Sequence, residues 1–220
     1  MYYKIAIDGP AGVGKSSLAK KTAQELNINY IDSGAMYRSV GLYCIENNVD
    51  IGNSEAISEI LPEINIDMKY ENEKLTVFLN GRDVSSDIRT PEASIAASKV
   101  AVVKEVRECL VSLQQKMSEN RSVIMDGRDI GLRVFPDADV KIFLTASAEK
   151  RAQRRFDELG GKEPYENILK DIKFRDENDS TRKIDPLKPA DDAIILDNSE
   201  LDLEGTVEAA LKIIRGKLNV

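Results

Sequence analysis

Apolar residues recur along this chain with more than one period, and the places where the period changes divide it. Unbroken β-prone runs at residues 3–8, 28–31, 122–125, 140–144 and 193–196 predict five short strands. Between them apolar positions fall at helical spacing, which predicts helices at 15–26, 36–46, 99–119, 147–158, 164–178 and 203–217. The third of these rests on Val103, Val106, Leu110 and Leu113. Asp32-Ser33-Gly34 reads as a sharp turn after the second strand, and 54–61 as a short helix stopped before Pro62. Strands without polar alternation suit a parallel sheet covered on both faces, and their interleaving with helices implies a doubly wound α/β fold. In such a fold the strand ends at Asp8, Asp32 and Asp126 open on one crevice at the carboxyl edge.

The period drops to two over one segment only. Ile64, Ile66 and Met68 alternate with polar residues, as do Leu75, Val77 and Leu79, with Glu71-Asn72-Glu73 between them, which predicts a β-hairpin. Asn80-Gly81 then makes a further tight turn before a possible third strand. An antiparallel piece at roughly 62–90, inside a chain that otherwise alternates strand and helix, is expected to sit outside the main sheet as an insertion.

Composition narrows the class. At 220 residues the chain suits one sizeable α/β core, and its 42% hydrophobic content is ordinary for a soluble globule. Its formal charge of −7 argues against a nucleic-acid polymer as partner, which would need a broad basic face. Cys44 and Cys109 lie far apart, without a C-x-x-C and in a chain with no histidine, so both are expected to be reduced and structural rather than a disulfide or zinc pair. No charged-then-apolar leader precedes the first strand and no apolar run approaches about 18 residues, so the expectation is a cytoplasmic protein with no membrane association.

The most informative stretch joins the first strand to the first helix. Gly9-Pro10-Ala11-Gly12-Val13-Gly14-Lys15-Ser16-Ser17 fits G-x-x-x-x-G-K-[ST], the loop whose backbone N–H groups converge on an anion. The helix opening near Lys15 adds its positive end. Lys15 is then expected to reach the β and γ phosphates of a nucleoside triphosphate, and the Ser16 hydroxyl to take a Mg2+ position, since a hard cation prefers oxygen.

Arginines supply the second signal. Arg38 follows the Asp32 turn and Arg128 follows the third main strand, so both are expected to face the crevice and to clamp a second, acceptor phosphate. Arg175 and Arg182 also lie beside turns or acidic neighbours. Arg151, Arg154 and Arg155 share one helix face by their three and four spacing. That face reads either as solvated and paired with Glu158, or as a lid that brings arginines onto a transferring phosphoryl group with Gly160-Gly161 at its tip.

These segments together, in this order, resemble the bacterial cytidylate kinases, a family of nucleoside monophosphate kinases, over essentially the whole length. The resemblance is carried by IDGPAGVGKSS, IDSGAMYRSV, IRTPEASIAASKVA with VREC, DGRDIGLRVFPDADVKIFLTAS, RAQRR and KFRDENDSTRKIDPL. It implies a single P-loop domain: a five-stranded parallel sheet flanked by helices, with a core of 1–33, 99–147 and 165–220, an acceptor-binding region with the antiparallel insertion at 34–98, and a short helical lid at 148–164. It further implies transfer from ATP, with Mg2+, to CMP and dCMP by a monomer of pyrimidine nucleotide metabolism. Gly9 to Ser17 would bind ATP; Lys15, Arg128, Arg154 and Arg155 would be catalytic. Ser98 and Arg107 would read the cytosine edge with Asp129 assisting, while Arg38, Arg128 and Arg182 clamp the acceptor phosphate. Arg175 and Asp179 would meet the sugar, and Asp32, Ser33 and Tyr37 would line the pocket. Ser16-Ser17 departs from the Gly-Thr of many relatives and leaves either serine to meet the metal. A P-loop kinase of another small acceptor, such as UMP or shikimate, is the alternative within this chemistry. A GTPase-like switch is disfavoured by the lack of an Asn-Lys-x-Asp segment.

Overall fold

The computed structural model describes residues 2–71 and 74–218. The chain begins with β1 (Lys4–Asp8), α1 (Lys15–Leu26), β2 (Asn29–Asp32), α2 (Ser33–Glu46) and α3 (Ser54–Ile60), and a turn of 3-10 helix (Leu61–Glu63) follows. Next come β3 (Ile66–Glu71), β4 (Lys74–Leu79), β5 (Arg82–Asp83), α4 (Pro91–Val100) and α5 (Lys104–Met117). The remainder is β6 (Val123–Gly127), a π-helical turn (Ile130–Val134), β7 (Val140–Thr145), α6 (Ala148–Glu158), α7 (Tyr165–Thr181), β8 (Ile194–Asp197) and α8 (Leu203–Leu218). The backbone divides into two compact units, Met1–Ile28 with Ser122–Val220, and Asn29–Arg121.

The expected five-stranded parallel sheet has the order β2-β6-β1-β7-β8. In the first unit β1 lies between β6 and β7, and Ile5, Ala6 and Ile7 are fully buried, which is why that run carries no polar alternation. Its register sets Ile7 beside Asp126 and Asp8 beside both Gly127 and Phe143, so the carboxyl ends of β1 and β6 are level and β7 runs on to Thr145. Asp8 reaches across that edge and accepts from the N–H groups of Ile130 and Gly131, each at 2.8 Å. These bonds anchor the π-helical turn, an element the sequence pattern did not predict.

In the second unit the alternating segment forms a separate antiparallel sheet, β3-β4-β5, with Ile66 opposite Leu79 and Met68 opposite Val77. Ile66, Leu75, Val77 and Leu79 are buried, so alternate side chains face inward as expected. Of the expected hairpin turn, Asn72 and Glu73 lie outside the described residues. Asn80 and Gly81 turn the chain into β5 with φ of 50° and 81°.

Three expectations need correction. Asp32-Ser33-Gly34 is not a turn: α2 starts at Ser33, because the Asp32 carboxylate caps it by accepting from the Ala35 N–H at 2.9 Å. The helix expected over 99–119 starts only at Lys104, as α5; Lys99 and Val100 close a separate helix, α4, and Val103 between the two is extended at φ −79° and ψ 123°. Val100, Val103 and Val106 are all buried, so the helical spacing reads straight through the break. The start of α4 is set by Thr90, which accepts from the Ala93 N–H at 3.1 Å, and by Pro91 at its first position. Of the two free cysteines, both expected to be structural, Cys44 is buried but Cys109 is exposed on α5.

Candidate active site

The phosphate loop leaves β1 through Gly9, where φ is 152° and a Cβ would stand 2.1 Å from the carbonyl oxygen of Leu144 on β7. Only glycine fits so close to a neighbouring strand. The loop ends at Gly14, left-handed at φ 92°, which precedes α1 without offering a side-chain cap. No side chain caps the first N–H groups of α1, an arrangement that suits an anion. Lys15 is 5% exposed and folds back to donate to the carbonyl of Pro10 at 2.7 Å. Burial, with the Arg128 charge second, pushes its pKa down to about 7.

Ser16 and Ser17 are distinguished by their surroundings. Ser16 Oγ donates to Asp126 Oδ2 at 2.8 Å, whereas Ser17 is exposed. Asp126, expected only as a strand end at the crevice and with no role there, is buried near the end of β6. A hydroxyl and a carboxylate facing each other beside a phosphate loop suit one hard divalent cation. Among the described residues no group of three or more His, Cys, Asp or Glu side chains is placed to hold a metal ion by itself, so most of the cation's oxygens would come from phosphate and water. The residues therefore fit Mg2+ held jointly with a nucleotide.

Beyond β6, charged residues from distant parts of the sequence meet. Arg128 Nε donates to Asp179 Oδ2 on α7 at 2.7 Å. Burial opposes the Arg128 charge, but the carboxylates of Asp179, Asp126 and Asp8 outweigh it and hold the pKa above its ordinary value. Arg182 pairs with Asp129 at 3.4 Å, with both side chains largely buried. The structure thus brings together Arg128, Asp129, Asp179 and Arg182, and places Arg175 half-buried on α7. Two arginines already leaning on carboxylates form a site where phosphate oxygens can take over those bonds.

The three arginines of α6 share a face but not a role. Arg151 is buried: it donates to the carbonyls of Ala146 (3.0 Å) and Ala11 (2.9 Å) and forks onto Asp176 of α7 at 3.0 and 2.6 Å. Arg154 donates to Asn198 and Leu201, past the end of β8. Arg155 is exposed and pairs with Glu158 at 3.0 Å, the solvated arrangement. Helical spacing showed which face they share, not what packs against it.

In the second unit Arg38 Nη2 donates to Asp32 Oδ2 at 3.0 Å, and Arg38 Nε is buried with no hydrogen-bond partner among the described residues. Ser33 is buried and Tyr37 half-buried on the same helix. Ser98 is exposed near the end of α4 and donates to Ser94 O at 3.3 Å, while Arg107 is buried in the first turn of α5 and reaches Ala101 O at 3.5 Å. Both expected base readers therefore flank the break between α4 and α5.

The parallel sheet, the phosphate loop after its first strand and the metal-ready Ser16–Asp126 pair define a P-loop phosphotransferase. The model of the cytidylate kinase family matches residues 5–216. The chain is 48% identical over 212 residues to the cytidylate kinase of Caldicellulosiruptor bescii, covering 95% of this chain and 94% of that one. It is 49% identical over 213 residues to the cytidylate kinase of Fusobacterium nucleatum, covering 96% of each. The chain belongs to the cytidylate kinase family. Among solved structures, shikimate kinase from Bacteroides thetaiotaomicron superposes with a TM-score of 0.51 at 14% identity over 99% of both chains. An uncharacterized protein from Eubacterium ventriosum does so with a TM-score of 0.54 at 12% identity, over 98% of this chain and 99% of that one. At these identities the likeness is one of fold. No helix among the described residues is long and apolar enough to cross a membrane.

Proposed function

We propose that this enzyme transfers the γ-phosphoryl group of ATP to CMP and dCMP, giving CDP and dCDP, as a cytoplasmic monomer of pyrimidine nucleotide metabolism. The observation that carries the reading is the pairing, within the first unit, of a phosphate loop at the end of β1 with an arginine pair, Arg128 and Arg182, beyond the end of neighbouring β6. A hydrolase needs one phosphate site; transfer to a nucleoside monophosphate needs two.

The transfer requires no nucleophile from the protein. A phosphate oxygen of the acceptor, already ionised at neutral pH, attacks the γ phosphorus in line; the bond to the β–γ bridging oxygen breaks and ADP leaves with that electron pair. The protein supplies position and charge. Backbone N–H groups from Gly9 to Ser17 and the Lys15 ammonium take the donor phosphates. Ser16, with Asp126, would hold Mg2+, which neutralises charge on the donor phosphates when bound. Arg38, Arg128 and Arg182 clamp the acceptor phosphate, Arg175 and Asp179 meet the sugar, and Ser33 and Tyr37 line its pocket. Ser98 and Arg107, with Asp129, read the base: cytosine presents a donor amino group beside acceptors, and these side chains offer both kinds of partner. Arg154 and Arg155 act from the lid at 148–164, over a core of 1–33, 99–147 and 165–220, with acceptor binding by 34–98.

A phosphotransfer panel with ATP and Mg2+ against CMP, dCMP, UMP, AMP and shikimate tests the proposal. CMP and dCMP should give the highest kcat/KM. Preference for UMP or shikimate would overturn the assignment of the acceptor.

A further inference from the structure

The end of β8 carries a contact to which the roles above give no part. Asn198, 4% exposed, uses both ends of its carboxamide. Its Nδ2 donates to the carbonyl of Val13 in the phosphate loop at 3.1 Å, and its Oδ1 accepts from Arg154 Nη1 at 3.2 Å. Arg154 Nη2 donates to the Asn198 carbonyl at 2.5 Å and to the Leu201 carbonyl at 3.1 Å. Asn198 is itself fixed, since its N–H donates to Thr145 O at the end of β7 at 2.9 Å. The amide also lies beside the last loop glycine: a Cβ on Gly14 would stand 4.0 Å from Nδ2.

The residue type matters. A carboxamide presents a donor and an acceptor on one rigid plane, so it can hold a carbonyl on one side and a guanidinium on the other. An aspartate would keep the arginine but set a carboxylate against the Val13 carbonyl. We propose that Asn198 is a positioning residue for phosphoryl transfer, which sets the Arg154 guanidinium against the phosphate loop so that arginine and donor phosphates share one frame. The proposal rests on Arg154 acting on the transferring group, as assigned above. It adds that this action is set through an asparagine some 44 positions further along the chain, at the opposite side of the contact.

The test is a double-mutant cycle in the full-length protein with Asn198→Ala, Arg154→Ala and both together, beside Asn198→Asp, measuring kcat, KM and thermal stability. A misplaced catalytic group costs roughly 10- to 100-fold. Asn198→Ala should therefore lower kcat by about that factor with KM for the acceptor within about two-fold. The double variant should be no slower than Arg154→Ala alone, because Asn198 acts only through the arginine. Asn198→Asp, which keeps the acceptor for Arg154, should retain more kcat than Asn198→Ala. Should Asn198→Ala fail to fold, Asn198→Asp and Asn198→Ser, each compared with and without Arg154→Ala, decide the same question by whether their loss of kcat vanishes without the arginine. Additive losses, or unchanged kcat in the Asn198 variants, would overturn the proposal. The wild-type acceptor panel comes first: failure with CMP would refute the substrate assignment, and the cycle, run with whichever acceptor is turned over, would still decide the role of Asn198.

Discussion

Replacing Arg151 separates a strut from a catalyst among three arginines that look alike in sequence. Arg151→Met keeps the aliphatic stem and removes a guanidinium that satisfies the Ala146 and Ala11 carbonyls and both oxygens of Asp176. Breaking a buried pair from one side costs about 3–5 kcal/mol, because the partner stays behind uncompensated. Here the Arg151 side chain is 5% exposed but Asp176 is 26% exposed, so water recovers part of the loss at the carboxylate. The two carbonyls recover less, and an orphaned buried acceptor costs about 1–3 kcal/mol. A net loss of about 3 kcal/mol follows, equivalent to a fall in Tm of about 6–12 °C for a chain of this size.

Calorimetry and denaturant titration give that number directly, with Arg155→Ala as control. Arg155 and Glu158 form an exposed pair with side chains 55% and 64% accessible, so its loss should change stability by less than about 0.5 kcal/mol. Arg151→Lys should recover only part of the loss, since an ammonium cannot fork onto Asp176 while also reaching two carbonyls. Because one bond ends on Ala11 in the phosphate loop, KM for ATP should rise in Arg151→Met along with the loss of stability. A variant with unchanged Tm and collapsed kcat would refute the reasoning and make Arg151 a catalytic residue instead.

Ser16→Ala should weaken apparent Mg2+ affinity roughly 10- to 100-fold while Ser17→Ala leaves it near wild type; titrating activity against Mg2+ checks this, and the reverse order would reassign the metal position to Ser17. Lys15 loses its proton in the free enzyme as pH rises through about 7, so kcat/KM for ATP should fall above that pH, whereas kcat, reporting the complex in which phosphate restores the proton, should stay level to higher pH. A flat kcat/KM from about pH 6.5 to 9 would contradict it. Gly9→Ala sets a Cβ 2.1 Å from the Leu144 carbonyl oxygen and should cost at least about 3 kcal/mol with loss of ATP binding, against about 1 kcal/mol for Gly160→Ala, where nothing lies within 4 Å; equal denaturation midpoints would rule this out. Ser98→Ala and Arg107→Met should lower the CMP/UMP ratio of kcat/KM roughly 5- to 150-fold, while Arg128→Ala and Arg182→Ala slow both acceptors alike. If Arg182→Ala shifts that ratio as much as Ser98→Ala does, base reading and phosphate clamping are not separate.

Elements held by their own hydrophobic spacing were legible in the sequence, and elements held by a single polar contact were not. The strands at Lys4–Asp8 and Val140–Thr145 and the helix at Ala148–Glu158 stand where the apolar period put them. The start of α2 was misread because Asp, Ser and Gly favour turns and helix caps alike, and only the Asp32–Ala35 bond tells which. The helix Pro91–Val100 escaped because its buried positions are Ala93, Ala96 and Val100, residues too small and too few to print a period. No local pattern predicts the π-helical turn, since its anchor, Asp8, comes from 122 positions earlier in the chain.

The same division runs through the site. Nine consecutive residues, Gly9 to Ser17, make the phosphate loop, so its chemistry can be read without knowing the fold. Ser16 and Asp126 are 110 positions apart and meet only because parallel pairing of β1 with β6 sets Ile7 level with Asp126, just before the loop begins at Gly9. Asn198 is 185 positions from Val13 and reaches it because β7, paired on one side with β1, is paired on the other with β8. Register is therefore what, under the proposed function, would give a triphosphate-binding loop a metal position on one side and a placed arginine on the other. A one-residue slip of β6 against β1 would move Asp126 by roughly 3.3 Å and turn its side chain to the other face of the sheet. Through that register the buried hydrophobic side chains of β1, β6 and β7 fix where Ser16, Asp126 and Asn198 stand.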